Sequence, residues 1–217
     1  MQINFTSFNY KPGADIGAEE KHYLDYHVKL AKTVPGLRLY LTGRFRQEAN
    51  GQPRHRRAAI LGFDDRATAA ASMKSDVSKR VLDDGVAHLA DVRRLSLDST
   101  VIVPFDSKQI EREYFVLAGE FDLKAGAEGI EAADRRYLKE HTALAAQLPG
   151  LRFYVTGRQL ESGGHKPERF RCAILAWDSY DDFQAAFNSP VRDKLIKDEE
   201  ATIANILFHQ LDAVAQV

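Results

Sequence analysis

Tyr23-Leu-Asp-Tyr-His27-Val-Lys-Leu-Ala-Lys-Thr-Val-Pro35-Gly36-Leu-Arg-Leu-Tyr40-Leu-Thr-Gly43-Arg44 returns later in the chain as Tyr137-Leu-Lys-Glu-His141-Thr-Ala-Leu-Ala-Ala-Gln-Leu-Pro149-Gly150-Leu-Arg-Phe-Tyr154-Val-Thr-Gly157-Arg158. Extended outward, residues 23–87 overlie residues 137–201 without a gap, and about 24 of the 65 positions are identical. Average composition does not give such agreement by chance. The chain therefore reads as two copies of one module, residues 1–104 and 113–217, joined by a polar linker at 105–112. Each copy has an ordinary domain size and can bury its own core.

Within each copy the pattern is strand, helix, strand, strand, helix, strand. Ile3 to Phe8 and Tyr114 to Phe121 open the copies. A helical stretch follows and stops at Pro35-Gly36 or Pro149-Gly150, since proline disfavours helical geometry in the residue before it and lacks an amide donor. Two strands come next, joined across Asn50-Gly51 in one copy and Gly163-Gly164 in the other. Asp64-Asp65 and Asp178-Ser179 offer N-caps for a second helix, with Ser179 and Asp182 at capping-box spacing. The closing strands are expected at Val92 to Ile102 and Ile203 to Val214.

A βαββαβ order predicts an α+β fold: a ferredoxin-like module with one antiparallel sheet and both helices on one face. The other face must find cover. Two modules in one chain can supply it by packing their sheets together as an intrachain pseudo-dimer whose pairing is independent of concentration.

Composition narrows function by exclusion. A formal charge of −1, with 44% hydrophobic and 28% charged residues, provides no field for nucleic acid or an anionic membrane, so a small, uncharged, hydrophobic partner is expected. Further self-association stays open. No run of 18 apolar residues and no basic-then-apolar leader occurs, which with the lone Cys172 predicts a cytoplasmic protein. Ala58 stands at the matching position of the first copy, so Cys172 reads as a small core residue.

Tyr23, His27, Leu30, Pro35, Gly36 and Leu37, repeated as Tyr137, His141, Leu144, Pro149, Gly150 and Leu151, resemble the EthD family of dimeric α/β-barrel proteins. Asp84 and Asp198, ahead of the last strand of each copy, resemble a recurring aspartate of that family. The resemblance implies a fused dimer. It also implies a superfamily of cofactor-free isomerases, cyclases, decarboxylases (lyases) and monooxygenases, some haem enzymes, and members without known activity.

The residues themselves carry a chemical argument. Tyr23, His27 and Leu30 flank the apolar stripe of Leu24, Ala31 and Val34, so His27, and His141 likewise, falls beside the buried face. A half-buried imidazole suits general acid/base work near neutral pH, with Tyr23 or Tyr137 orienting it or polarising a substrate oxygen. A core histidine tied to a carbonyl or to that tyrosine is the structural alternative. Arg38, Tyr40, Thr42 and Arg44, with Arg152, Tyr154, Thr156 and Arg158, alternate onto one strand face, where they line a pocket or form a polar rim. Asp84 and Asp198 read as substrate contacts or as caps and surface charges.

No dinucleotide fingerprint, phosphate loop, His-Glu-x-x-His or paired-cysteine spacing is present. His22 and His27, five residues apart, do not share an α-helical face, so no metal is expected. No cofactor is expected either, although a lone helical histidine leaves haem open. The sequence thus points to a cofactor-independent isomerase, cyclase or carbon–carbon lyase acting on a hydrophobic aromatic or polyketide-like molecule. A non-catalytic binding or accessory protein is the alternative. The second copy carries the larger side chain at Phe153, Trp177, Phe183 and Phe187 against Leu39, Phe63, Ala69 and Met73, which predicts a wider pocket beside His27 than beside His141, the alternative being that these rings form a stacking surface for an aromatic ligand near His141.

Overall fold

The computed structural model describes residues 1–106, 110–161 and 166–217. Its first eight elements beyond the opening strand follow from simple local rules. β1 (Gln2–Tyr10) leads into α1 (Ile16–His22), capped by the Asp15 carboxylate on the Ala18 amide. A π turn (Tyr23–His27) and α2 (Val28–Ala31) continue the same helix. Gly36 then turns the chain at φ 75°, a conformation glycine adopts without strain, into β2 (Leu37–Gln47) and β3 (Arg57–Phe63).

The second helical segment is broken in two, where a single helix was expected. α3 (Arg66–Ser72) is capped by Asp65, and α4 (Asp76–His88) starts afresh because Ser75 Oγ accepts the Ser78 amide. β4 (Leu89–Val103) closes the first series.

The second series repeats the order: β5 (Glu113–Leu123), α5 (Ile130–Arg136), a π turn (Tyr137–His141), α6 (Thr142–Ala145), β6 (Leu151–Leu160), β7 (Arg171–Trp177), α7 (Tyr180–Phe187), α8 (Pro190–Thr202) and β8 (Ile203–Ala215). Ser179 caps α7 as its spacing predicts. Here the break falls before Pro190, which fits the first turn of α8 because no amide is required there. The Gly163-Gly164 turn and part of the expected linker, residues 107–109, lie outside the described residues.

All eight strands form one closed antiparallel barrel in the order β1-β3-β2-β8-β5-β7-β6-β4. The inner faces of the two series pack on one another with the helices outside, as a dimeric α/β barrel requires, and the sheets are also joined at their edges. The strands join edge to edge at two seams, β2 with β8 and β4 with β6. An open four-stranded sheet leaves rows of unpaired backbone groups on its outer strands, and closure satisfies them. The glycine of each Thr-Gly-Arg repeat sits in a seam. A β-carbon on Gly43 would fall on the Asp212 carbonyl oxygen, and one on Gly157 on Ser99 Oγ.

Alternation sorts the side chains into two layers. Ile3, Phe5, Leu41, Val116, Val155 and Ile174 belong to the apolar core of the barrel interior, which also takes in Cys172. The outward rows pack beneath the helices, in one cluster for each series. Among the described residues, no helix is long and apolar enough to cross a membrane.

Candidate functional site

The Tyr-x-x-x-His stretch is where the first helix departs from regular geometry. Val28 N–H bonds to the Tyr23 carbonyl and Thr142 N–H to the Tyr137 carbonyl, each five residues back, so one residue is inserted into the turn. In a regular α-helix residues five apart point about 140° away from each other. The wider turn brings His22 and His27 onto one carboxylate. His27 Nδ1 donates to Asp84 Oδ2 at 2.7 Å and His22 Nε2 to Asp84 Oδ1 at 2.8 Å. The expectation that these two histidines face apart is thus corrected.

Tyr23 lies flat on His27, ring centroids 5.1 Å apart and planes 18° from parallel. Its hydroxyl bonds to Thr42 Oγ1 at 2.8 Å and approaches the Tyr40 hydroxyl at 3.4 Å. Tyr23 therefore meets the imidazole by stacking and not through its hydroxyl. On its other side Arg57 Cζ stands 4.9 Å from the ring centroid, and the same guanidinium donates through Nη1 to Oε2 of the buried Glu20 at 2.8 Å. Burial would raise the Glu20 pKa, but Arg57, Arg44 and Arg56 together hold it below the ordinary carboxylate value. The second series rebuilds this stack. Arg171, paired with Asp134, lies over Tyr137, Tyr137 on His141 at 4.9 Å, and His141 Nδ1 reaches Asp198 Oδ2 at 2.6 Å.

Electrostatics favours a neutral His27. Burial lowers its pKa, with Asp84 opposing and the neighbouring His22 and His88 reinforcing. Burial would raise the Asp84 pKa, but hydrogen bonds from His22 and His27 bring it below its usual value. An ionised Asp84 accepting from Nδ1 leaves Nε2 as the basic nitrogen of the imidazole. Tyr40 is fully enclosed, and burial pushes its pKa well up, so its hydroxyl stays protonated.

The two series differ in the space beside these groups. His27, Tyr23 and Tyr40 line a cavity of about 490 Å³ between the sheet and α2, α3 and α4, walled by Phe8, Leu61, Phe63, Val81 and Leu89. His141, Tyr137 and Tyr154 line one of about 50 Å³. The difference runs in the direction that the larger rings predict. Phe183 and Phe187 pack with ring centroids 4.2 Å apart and planes tilted by 43°, and Arg192 lies over Phe187 at 4.8 Å while donating to Glu199 at 2.8 Å. The first series carries Ser78 and Gly85 where the second carries Arg192 and Glu199. A β-carbon on Gly85 would come within 3.9 Å of His27 Cε1.

Of the residues singled out in the sequence, Tyr23, His27, Tyr40 and Asp84 come together, as do Tyr137, His141, Tyr154 and Asp198. Asp84 and Asp198 contact the histidines, and the expected direct contact with substrate does not follow from their placement. Arg38 and Arg152 turn outward to Asp64 and Asp178, while Arg44 and Arg158 bind Glu20 and Asp134.

His22, His88 and Glu19 were not anticipated. His22 stacks on His88 at 3.9 Å, and His88 Nδ1 bonds to Glu19 Oε2 at 2.9 Å. Their counterparts are Arg136, Thr202 and Ala133, so the signal lay in the mismatches between copies. His22, Asp84 and His88 place ligand atoms within 4.8 Å of one another, a donor set that suits a divalent transition ion, although their short contacts are accounted for by hydrogen bonds.

Among curated proteins no sequence matches the chain. The EthD domain profile matches residues 130–206. Likeness of fold extends over the whole chain. A candidate monooxygenase from Lactobacillus acidophilus NCFM superposes with a TM-score of 0.70 at 12% identity, over 100% of this chain and 95% of its own. Another, from Fusobacterium nucleatum subsp. nucleatum ATCC 25586, gives 0.71 at 13% identity, over 99% and 93%. An anthrone oxidase-like protein gives 0.58 at 14% identity, over 98% and 90%. The chain thus contains a stretch matching the EthD domain and has the closed α/β-barrel fold of these proteins.

Proposed function

We propose that the chain is a cofactor-independent enzyme acting on a hydrophobic aromatic or polyketide-like molecule, with the working site in the cavity beside His27. On this reading residues 1–104 and 113–217 are two EthD-like, ferredoxin-like modules forming an intrachain pseudo-dimer, and the second module has become mainly structural. The repeated element order and the internal sequence identity support it.

The observation that carries the chemistry is a tautomer-fixed imidazole on the wall of a cavity large enough for a drug-sized molecule. Asp84 holds Nδ1–H. Nε2 takes a proton from a carbon or hydroxyl next to a carbonyl or phenol, and the Tyr40 hydroxyl polarises the oxygen on which charge develops. Returning the proton to another carbon gives isomerisation, and attack of the carbanion on a carbonyl carbon of the same molecule gives cyclisation. Where the proton comes from a hydroxyl, collapse of the alkoxide to a carbonyl breaks the adjacent carbon–carbon bond, and the departing carbanion takes the proton back from the imidazolium. A positioned base of this kind contributes roughly 10²–10⁴-fold in rate. The same deprotonation would begin an oxygenation without a cofactor, and two of the fold neighbours are described as candidate monooxygenases. At 12–14% identity their likeness is one of fold, so product analysis separates the routes.

The test is turnover of ketone- or phenol-bearing aromatic substrates by the purified chain without added cofactor, with and without oxygen. Oxygen-independent conversion that is lost in His27→Ala supports proton-transfer chemistry. Tight binding with no chemical change would instead make the protein a binding or accessory module.

A further inference from the structure

The floor of the His27 cavity is polar in a way that its counterpart is not. Gln2, Asn4 and Thr6 of β1 alternate toward the cavity, opposite Ser96 and Arg94 of β4. Gln2 is 4% exposed; its Nε2 donates to Ser96 Oγ at 2.9 Å, and Ser96 Oγ donates to Asn4 Oδ1 at 2.9 Å. The barrel register places Phe115, Leu117 and Gly119 at the matching positions of β5, opposite Gln210 and Phe208. There the Phe208 ring lies across Gly119, 3.5 Å from where a β-carbon would stand. Buried polar groups are costly unless bonded, and at the matching positions of the series without a large cavity Gln210 is the one polar side chain and is bonded to Gln47 at 2.8 Å.

This network leaves donors facing the cavity. Among the described residues Asn4 Nδ2, Thr6 Oγ1 and the Arg94 guanidinium have no protein partner, and Arg94 and Arg66, both solvent-exposed, line the wall without an ion pair. Glu161 reaches the same wall but pairs with neither arginine. Many other arginines of the barrel exterior are matched to carboxylates, among them Arg38, Arg44, Arg152 and Arg158. Phe8 packs on Tyr23, which stacks on His27, and Asn4 lies four residues further along β1, a span of roughly 13 Å at strand rise.

Resting on the proposed reading of the cavity and deepening it, we infer that the substrate is an oxygen-rich aromatic acid. It reaches from His27 along β1, with hydroxyl or carbonyl oxygens on Asn4 and Thr6 and its carboxylate on Arg94. An anionic ligand replaces the uncharged one that overall composition suggests, because Arg94 acts locally where net charge does not.

The probes are 1-hydroxy-2-naphthoate and its methyl ester, titrated calorimetrically into the full chain. The acid should bind about tenfold more tightly than the ester, as one charge-assisted hydrogen-bonded pair provides. Arg94→Met should abolish that preference, Arg94→Lys should restore part of it, and Asn4→Ala should weaken both probes. Equal affinity for acid and ester, no binding of either, or a preference that survives Arg94→Met would each overturn the inference. The two readings fail separately. An acid preference with no turnover of any substrate retains this inference and removes the proposed catalysis, and turnover of neutral ketones without acid preference does the reverse.

Discussion

Arg192 donates to Glu199 across 2.8 Å at the two positions where the first series carries Ser78 and Gly85. The pair, with Phe187 beneath the guanidinium, fills volume that stays open beside His27. A direct transplant follows. Ser78→Arg combined with Gly85→Glu should close the first cavity and weaken ligand binding by at least about tenfold, the loss expected when a well-filled apolar site is blocked. Calorimetry with the naphthoate probe checks it, and unchanged affinity would show that ligands bind elsewhere.

His27→Ala should lower turnover by roughly 10²–10⁴-fold, whereas His141→Ala should leave it within a few-fold. Asp84→Asn tests positioning apart from chemistry. It should lower turnover by about 10²-fold or more through loss of the fixed tautomer. It should also move the lower pH limit of activity further down, because the Asp84 hydrogen bond and charge both raise the His27 pKa. Asp84→Asn with an unaltered pH profile would make Asp84 a purely structural residue. Loss of turnover in His141→Ala with retention in His27→Ala would move the working site to the second series.

The pH dependence has a definite sign. Burial depresses the His27 pKa from its ordinary 6.5, so the activity limb assigned to it should titrate below 6.5. The unfolded chain binds this proton near 6.5 and the folded chain only at lower pH. The group's contribution to stability is therefore full above 6.5 and falls as pH drops from there toward the folded value. Denaturant midpoints of the parent chain and His27→Gln, compared across that window, should show the slope only in the parent.

Glu120 sets a second, more acidic window. It is 1% exposed inside the barrel and takes both Arg93 guanidinium nitrogens at 2.8 and 2.9 Å, with His209 Nε2 3.0 Å away. Burial would raise its pKa, yet His209 and Arg93 bring it down to about 2 from 4.5. Its stabilisation is present above 4.5 and lost as pH falls toward 2, a change of roughly 3 kcal/mol. Urea midpoints at pH 6 and 3 should differ more in the parent chain than in Glu120→Gln.

The seam glycines give a mechanical prediction. Gly43→Ala or Gly157→Ala forces a methyl group against the backbone of the partner strand or a buried serine, so each should destabilise by about 1–3 kcal/mol or more. Thermal melts check it. Gly85→Ala, inside α4 and meeting only ordinary contacts, should raise the melting temperature slightly, as removing a helix-interior glycine stabilises by about 0.4–1 kcal/mol.

Much of this architecture was legible because Pro35-Gly36, Pro149-Gly150 and the capping residues punctuate both copies at matched positions. The barrel followed from the family resemblance, but the two edge seams did not follow from the residues, since alternation shows which face of a strand is buried and not which strand edges will meet. The helix breaks at Ser75 and Ser189 were missed for a different reason: nothing in the apolar periodicity marks them. Asp84 and His27 stood out as repeated residues, but His22, Ser78, Gly85 and the Gln2-Asn4-Ser96 network did not. They matter through their differences from Arg136, Arg192, Glu199 and the apolar strand opposite, and a comparison seeking identity passes over such positions.

The wide turn at Tyr23–His27 makes the site a matter of helical phase as well as residue type. Deleting one residue there would let the backbone close into an ordinary α-helix, with every amide still able to find a carbonyl. His22 and His27, then four residues apart, would stay within about 40° of each other on the helix. Tightening the turn with all its residues kept would instead set them about 140° apart and swing His22 off Asp84. A shift of one backbone hydrogen-bond register, with no residue changed, would then act as an off switch, silencing the site while leaving the barrel standing.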